Sequence, residues 1–222
     1  MKLLKKYDLH IHTYYSRCSN LTPKVILKRA KKLGLNGIAI ADHHTIKGAL
    51  EVKKANKDKH FEVIVGEEIK TEKGEVIAFY LKKEIKPGKF NDVIREIRKQ
   101  KGIVGIAHPY STIGIDRRKA DIDAIIGKID AIEGFNARSL FAFENMKAQI
   151  KAAEKLLPIT AGSDAHFSFE IGRAYTEFEG DLRSALKNMA TKVHGSNTFA
   201  IPGRLCTLVY KHILGNLRRL FK

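Results

Sequence analysis

Short apolar runs alternate with amphipathic helical stretches along most of the chain. GIAIA, FEVIVGEEI, IVGIA, DAIEGFN and PITAG have the length and composition of buried strands. Stretches such as NDVIREIRKQKG repeat apolar residues every three or four positions, as on one face of a helix. This alternation predicts an α/β chain built from strand and helix units, and its continuity predicts a single domain.

One helix has clear boundary signals. In LTPKVILKRAKKLG, Thr22 is a typical N-cap residue, Pro23 suits the first helical position and Gly34 is a typical stop signal. We expect a second helix from Thr45 to about Lys57. The apolar runs that flank these helices are then consecutive strands of the sheet.

The last segment, residues 201–222, combines apolar and basic residues at near-helical spacing. The apolar set is Leu205, Leu208, Val209, Ile213, Leu217 and Leu220, and the basic set is Arg204, Lys211, Arg218, Arg219 and Lys222. We expect a C-terminal amphipathic helix that packs on the preceding domain, residues 1–200. A weak contact with an anionic membrane surface is the alternative.

Polar side chains recur where the predicted strands end. They are His10, His12, Asp42, His43, Glu68, His108, Glu133, Asn136, Asp164 and His166. His10 and His12 are two residues apart, so in a strand their imidazoles project from one face. In a barrel of strand and helix units, the carboxyl ends of the strands form the face where active sites are built. The convergence predicts a shared metal site, and the mixture of imidazole and carboxylate favours Zn, Mn or Fe over Ca.

The composition of the chain limits the classes of partner that it is expected to bind. The chain has 41 Lys and Arg against 24 Asp and Glu, a formal charge of +17. Such an excess favours phosphorylated metabolites, nucleotides or short nucleic acid as partners, although solvated helix faces explain it equally well. Cys18 and Cys206 lack the spacing of a disulfide framework or zinc ribbon. Because no apolar run approaches the roughly 18 residues of a transmembrane segment, we expect a cytoplasmic protein without one.

Five motifs occur in a fixed order over nearly the whole chain. They are DLHIHTYYS, IAIADHHT, VGEEI, IAHP and GSDAHF followed by GRAYT. Together they resemble the PHP (polymerase and histidinol phosphatase) domain superfamily of metal-dependent phosphoesterases. The resemblance implies a distorted TIM-like (βα)7 barrel with two or three divalent metal ions at its C-terminal face.

The resemblance also implies a set of metal ligands. His10, His12, Glu68 and Asp164 resemble the ligands of a first metal, Glu68 and His108 those of a second, and His43 and His166 those of a third. Glu68 would bridge the first two metals. Two positions depart from the pattern: Glu75 stands where many members have a histidine, and Cys18 lies in the loop that usually provides another ligand of the third metal.

Two further residues are expected to act in catalysis. Asp42 resembles an acidic residue that lies near the metals and orients a ligand or transfers a proton. Arg173, in the last motif, is the expected phosphate-binding cation. His44 and Arg138 are additional candidates for phosphate binding.

These motifs predict a hydrolase that cleaves esters of small phosphorylated metabolites or nucleotides with a metal-activated hydroxide. An exonuclease or oligonucleotide phosphodiesterase is the alternative that the positive charge favours. A non-catalytic nucleic-acid-binding subunit is a third possibility, against which the retained ligand-type residues argue. An amidohydrolase is a fourth, and the DH and SDAH sequences favour a phosphoesterase over it.

Overall fold

The computed structural model describes residues 3–112 and 121–220, without the side chains of residues 214–220. Within them, nine strands form one sheet in the order β7-β6-β5-β4-β3-β2-β1-β8-β9. The strands are β1 (Leu4–Ile11), β2 (Gly37–Ile40), β3 (Glu62–Thr71), β4 (Gly74–Phe79), β5 (Ile103–Ile106), β6 (Ala131–Asn136), β7 (Ile159–Gly162), β8 (Ala174–Glu179) and β9 (Thr191–Gly195). The helices are α1 (Pro23–Lys32), α2 (Lys47–Ala55), α3 (Phe90–Lys99), α4 (Ile122–Ile125), α5 (Ala142–Glu154), α6 (Leu182–Lys187) and α7 (Ala200–Leu220).

The first seven strands form a nearly closed ring. Strands β1 to β3 are mutually parallel, as are β5 to β7, whereas β4 is antiparallel to both of its neighbours. The ring closes at a parallel bridge between Ile11 and Ala165, where the His12 amide donates to the Ala165 carbonyl at 2.9 Å. The expected distorted barrel is therefore confirmed. Strands β8 and β9 extend it as an antiparallel hairpin beside β1.

Glycine is required where the ring closes. A Cβ atom at position 162 would lie 2.7 Å from the backbone nitrogen of His10 and would overlap the His10 side chain. Since no side chain fits this space, only glycine lets β7 approach β1 closely. The seam therefore also fixes the position of His10.

Two apolar clusters occupy the two faces of the sheet. The larger contains Ile38 and Val63 together with buried residues of α1, α2 and α3, so it lies between the sheet and the helices. The second contains the alternating strand residues Ala39, Ile64 and Ile77 and fills the opposite face, inside the ring. The polar strand ends lie above this interior cluster.

Local sequence signals match the first helix well. Thr22 caps α1 through a side-chain contact of 3.5 Å with the Val25 amide, and Gly34 adopts a left-handed conformation with φ of +71° after the helix ends. The structure differs from a uniformly parallel sheet at β4, β8 and β9. Strand β9 was not predicted, because TKVHG is short and polar.

Helix α7 packs on the barrel through small and polar residues. Ala200, Gly203 and Thr207 are buried, and Thr207 accepts a hydrogen bond from Arg138 at 2.9 Å. The apolar residues Leu205, Leu208, Val209 and Ile213 are instead exposed. The other predicted members, Leu217, Leu220, Arg218, Arg219 and Lys222, lie outside the described side chains. No helix among the described residues is long and apolar enough to span a bilayer.

Candidate metal centre

The strand ends bring most of the predicted ligand residues together above the ring. Donor atoms within 4.8 Å of one another form three overlapping groups: His12, His43 and His166; His10, His12 and Glu68; and His43, Glu68 and Glu75. Glu68 belongs to two of these groups. So do His12 and His43, and these three residues together connect the whole cluster.

The Glu68 carboxylate is buried among imidazole nitrogens. Its Oε2 atom lies 2.8 Å from His43 Nδ1, 3.5 Å from His12 Nε2 and 3.7 Å from His10 Nε2, and its Oε1 atom lies 3.0 Å from His108 Nε2. Burial alone would raise the pKa of Glu68, but the charges of His43 and His10 hold it well below its ordinary value. Oε2 nevertheless has no well-formed hydrogen bond among the described residues.

Asp164 closes the other side of the cluster. Its Oδ1 atom lies 3.2 Å from His12 Nε2, 3.8 Å from His10 Nε2 and 3.6 Å from His166 Nδ1. The side-chain amide of Asn136 donates to Asp164 Oδ2 at 3.4 Å. Burial opposes ionisation of Asp164, but His10 and His12 hold its pKa well below the ordinary value. The carboxylate is thus kept in the ionised form that metal binding requires.

The first two histidines direct their Nε2 atoms at one another, 3.1 Å apart. His10 Nδ1 lies 2.9 Å from Glu133 Oε1, and a carboxylate can only accept, so this nitrogen carries the hydrogen. His12 Nδ1 lies 3.1 Å from Ser16 Oγ, which gives its own hydrogen to Asp42 at 2.6 Å and therefore accepts from His12. In the neutral rings, both Nε2 lone pairs face the same point.

Such an arrangement requires a cation. Burial lowers the pKa of His10, but Glu133, Asp164 and Glu68 raise it well above its ordinary value, so the surroundings favour a positive charge at this point. A divalent metal ion would satisfy the two lone pairs and the unpartnered Glu68 oxygen together. Because these donors are imidazole nitrogens and carboxylate oxygens, the residues fit Zn, Mn or Fe.

Asp42 is completely buried and holds the loop after β1. It accepts hydrogen bonds from the Thr13 amide at 2.7 Å, the Thr13 hydroxyl at 2.6 Å and the Ser16 hydroxyl at 2.6 Å. A Cβ atom at Gly48 would overlap its Oδ2 atom. Asp42 is therefore connected to His12 through Ser16. Sequence analysis missed Thr13 and Ser16, although both stand in the HIHTYYS motif.

His108 and Glu75 extend the cluster on one side. His108 Nε2 lies 3.6 Å from Glu75 Oε2, and the His108 amide donates to Glu133 Oε2 at 2.7 Å. Burial lowers the pKa of His108, but Glu68 and Glu75 outweigh it and raise the pKa to about 10. The structure thus brings Glu75 to the position expected of a replacement ligand.

His43, His166 and Cys18 extend the cluster on the other side. Burial lowers the pKa of His43, but Glu68 and the buried Cys18 raise it well above its ordinary value. His166 Nδ1 lies 2.7 Å from the Asp164 carbonyl oxygen, which can only accept, so Nε2 carries the lone pair. Burial, followed by the charge of His12, holds the pKa of His166 well below its ordinary value. His166 therefore stays neutral, as a metal ligand must.

The predicted phosphate-binding cations are mostly engaged elsewhere. Arg173 donates to the Phe169 carbonyl at 3.1 Å and lies 4.0 Å over the Phe199 ring, and no contact among the described residues joins it to the cluster. Arg138 is buried and lies 3.6 Å from Glu170 Oε1. His44 is exposed next to His43. The phosphate-binding roles of Arg173, Arg138 and His44 stay predictions.

Arg204 is a cation that sequence analysis placed only in the basic tail. It is partly buried, and its Nε atom donates to the Arg138 carbonyl at 3.1 Å. Burial lowers the pKa of Arg204, and the charge of Asp164 is the largest effect in the opposite direction. The guanidinium is therefore close enough to the cluster to interact with it electrostatically. Its sequence position, 28 residues after the end of the last motif, gave no such signal.

The model of the PHP domain family matches residues 8–199, a segment that contains the whole cluster. The chain belongs to the PHP domain family. The HIH sequence at the end of β1 and the SDAH sequence that directly follows β7 lie next to each other across the seam of the ring.

Three comparisons relate this PHP domain to known proteins. The uncharacterized protein MJ1587 of Methanocaldococcus jannaschii is 39% identical over 145 residues, which cover 60% of this chain and 82% of that protein. A 5'-3' exoribonuclease of Haemophilus influenzae is 42% identical over 69 residues, covering 31% of this chain and 25% of that protein. A two-domain protein of Bacteroides vulgatus, described as containing a predicted PHP-like metal-dependent phosphoesterase, has a TM-score of 0.71 at 22% identity and covers 88% of this chain and 66% of that one.

Proposed function

We propose that this PHP domain binds two or three divalent metal ions and hydrolyses phosphate esters of small phosphorylated metabolites or nucleotides. One observation carries the proposal. Glu68 Oε2 is buried without a well-formed hydrogen bond, and the imidazoles of His43, His12 and His10 surround it within 3.7 Å. A buried acceptor among ring nitrogens is costly unless a cation completes the site.

The proposed ligand sets follow the assignment that the PHP motifs imply, with Glu75 added to the second set. His10, His12, Glu68 and Asp164 would hold one metal ion, Glu68, His108 and Glu75 a second, and His43 and His166 a third, with Cys18 beside His43. Glu68 is shared by the first two sets because its two oxygens face different histidines. When bound, divalent metal ions would supply an activated water near neutral pH and would neutralise charge on the phosphoryl oxygens.

The chain's own residues prepare the site for this chemistry. Glu133 and Ser16 keep hydrogens on the Nδ1 atoms of His10 and His12, so that both Nε2 atoms remain available. Asn136 donates to Asp164 and limits the rotation of its carboxylate. Arg204 supplies a positive charge for phosphate binding from outside the ligand set. These contacts orient the donors before substrate arrives.

The test is a substrate screen of the metal-loaded chain. We expect hydrolysis of an aryl phosphate that is lost after chelation and recovered with Mn²⁺ or Zn²⁺. Asp164→Asn should lower metal stoichiometry and reduce turnover by about 100-fold or more, because it removes a ligand charge. Asp58→Asn, a matched change at an exposed carboxylate that pairs with Lys31, should alter neither. Unchanged stoichiometry and rate in Asp164→Asn would refute the ligand assignment, and absence of hydrolysis with every phosphate ester would refute the activity.

An oligonucleotide phosphodiesterase is the second candidate function. The loops after β1, β6 and β7 each lead into a stacked aromatic pair: Tyr14 with Tyr15, Phe141 with Phe143, and Phe167 with Phe169, at 4.9, 5.5 and 6.1 Å between ring centroids. Tyr14, Phe141 and Phe143 are exposed. Exposed aromatic rings can stack on nucleobases, and the charge of +17 would attract the phosphate backbone. The similarity to the exoribonuclease also supports this candidate. Including short single-stranded RNA and DNA in the same screen distinguishes the two functions.

A further inference from the structure

Helix α7 presents a continuous apolar face to solvent. This face consists of Ile201, Leu205, Leu208, Val209 and Ile213, whose side chains are each 50% to 65% exposed. Most of them are three or four residues apart, which places them along one side of the helix. Ala200, Gly203 and Thr207, which are buried, lie on the opposite side. The apolar face is therefore directed away from the barrel.

Polar contacts fix this orientation. Glu170 fills the space next to Gly203, so that a Cβ atom there would overlap its carboxylate. Thr207 accepts a hydrogen bond from Arg138, and Arg204 donates to the Arg138 carbonyl. Rotating the apolar face inward would bury leucines against Glu170 and Arg138, whose charges are already removed from water. The exposed face is thus a stable feature of the packed helix.

Charge indicates which partner covers the face. After Asp181 the sequence contains no Asp or Glu and eight Lys or Arg residues, and the whole chain carries +17. Lys211 is exposed on α7 itself, whereas Arg204 is turned toward the barrel. Two copies of so basic a helix would repel one another, whereas an anionic surface would attract it. An apolar ridge flanked by cations is the arrangement of helices that lie in the headgroup region of a membrane.

We propose that α7 docks this protein on an anionic lipid surface, with Leu205, Leu208 and Val209 inserted at the boundary of headgroups and acyl chains. Beside the ridge, Phe167, Cys206 and Tyr210 complete an apolar groove that a lipid tail can contact. The helix lies along the surface and does not cross it. This docking is independent of the proposed hydrolase activity, because none of these side chains belongs to the metal cluster.

The absence of tryptophan from the sequence permits a direct test. In Leu208→Trp, the single indole reports on the face itself, and Leu50→Trp, at an exposed leucine on α2, is the matched control. With vesicles of phosphatidylcholine and phosphatidylglycerol, we expect a blue shift of emission for the α7 variant and none for the control. No shift in Leu208→Trp, or an equal shift in both variants, would overturn the proposal.

Vesicle flotation of the otherwise unchanged chain gives the second measurement. We expect binding to the mixed vesicles, much weaker binding to phosphatidylcholine alone, and weakening by salt. Leu208→Glu should reduce the binding about tenfold or more, because it removes a leucine that inserts into the lipid and adds a charge that the anionic surface repels. The control Leu50→Glu should not reduce it. Sedimentation of the free chain tests the competing occupant: a dimer that dissociates in Leu208→Glu but not in Leu50→Glu would assign the face to a second copy and overturn the proposal.

Discussion

The side chains of Ser16 and Asp42 orient the His12 ring, although neither is a proposed metal ligand. Ser16 accepts from His12 Nδ1 and donates to Asp42, and it also accepts from the His43 amide at 3.1 Å. A single hydroxyl thus connects two of the histidines in the cluster to one buried carboxylate. Removing it frees the His12 ring to rotate and to exchange tautomers.

We therefore predict that Ser16→Ala weakens metal binding about 10- to 100-fold, while the chain remains folded. A competition titration against a chelator measures the affinity, and circular dichroism checks the fold. Ser196→Ala, a matched change at an exposed serine beside Thr198, should leave the affinity unchanged. If Ser16→Ala binds metal as tightly as the original chain, Ser16 does not position His12.

At the level of elements, α7 brings a cation to the barrel that the strands do not provide. Gly203 and Thr207 let the helix lie close to Glu170 and Arg138, and Arg204 then donates to the Arg138 carbonyl. Arg173 stands in a PHP motif, but it stacks on Phe199. The sequence motif therefore favours Arg173 as the phosphate-binding cation, whereas the structure favours Arg204.

We predict that Arg204→Ala raises KM for an aryl phosphate about tenfold, and that Arg204→Lys recovers part of the loss because it keeps the charge. Arg173→Ala should mainly lower the free energy of unfolding, by about 1 kcal/mol for the lost cation-π contact and hydrogen bond. Steady-state kinetics and urea unfolding of all three variants check this. The opposite result, a raised KM only in Arg173→Ala, would restore the role predicted from the motif.

The same elements indicate which features the sequence could predict. The proximity of polar residues at strand ends, such as His10 and Asp164, was predictable because parallel strands place their carboxyl ends together. The contacts of Arg173 were not, since Phe199 belongs to a segment whose position depends on the complete fold. The exposed side of α7 was also unpredictable: amphipathic spacing identifies a helix, but the polar surface of Glu170 and Arg138 decided which side faces the barrel.

At the level of the whole molecule, one buried carboxyl group makes stability depend on pH. Glu67 follows the alternation of β3 and faces away from the side chain of Glu68; its Oε2 atom accepts from the Ile85 amide at 3.0 Å. Burial raises the pKa of Glu67 from 4.5 to about 8. The folded chain therefore keeps this proton up to about pH 8, whereas the unfolded chain releases it near pH 4.5. Since the folded state binds more protons in this interval, its stability falls as pH rises through it.

Glu67→Gln should remove that loss. At each pH, the comparison is between the free energies of unfolding of the variant and the original chain. We expect this difference to favour the variant at pH 8 by on the order of 2 kcal/mol more than at pH 4.5. Urea unfolding of the chelated proteins at both pH values measures the two differences. An identical difference at both values would mean that Glu67 ionises normally in the folded chain.

The seam between β1 and β7 sets the order in which the molecule can be completed during translation. Strand β1 leaves the ribosome before the other strands. One of its edges pairs with Ala165 and with β8, which are synthesised more than 150 residues later. Until then His10 and His12 have β2 beside them but neither Asp164 nor Glu133. Loop closure over such a span is slow compared with local helix formation. A nascent chain can therefore form its first helices early, whereas it can assemble the full donor set only after Asp164 and His166 have been synthesised.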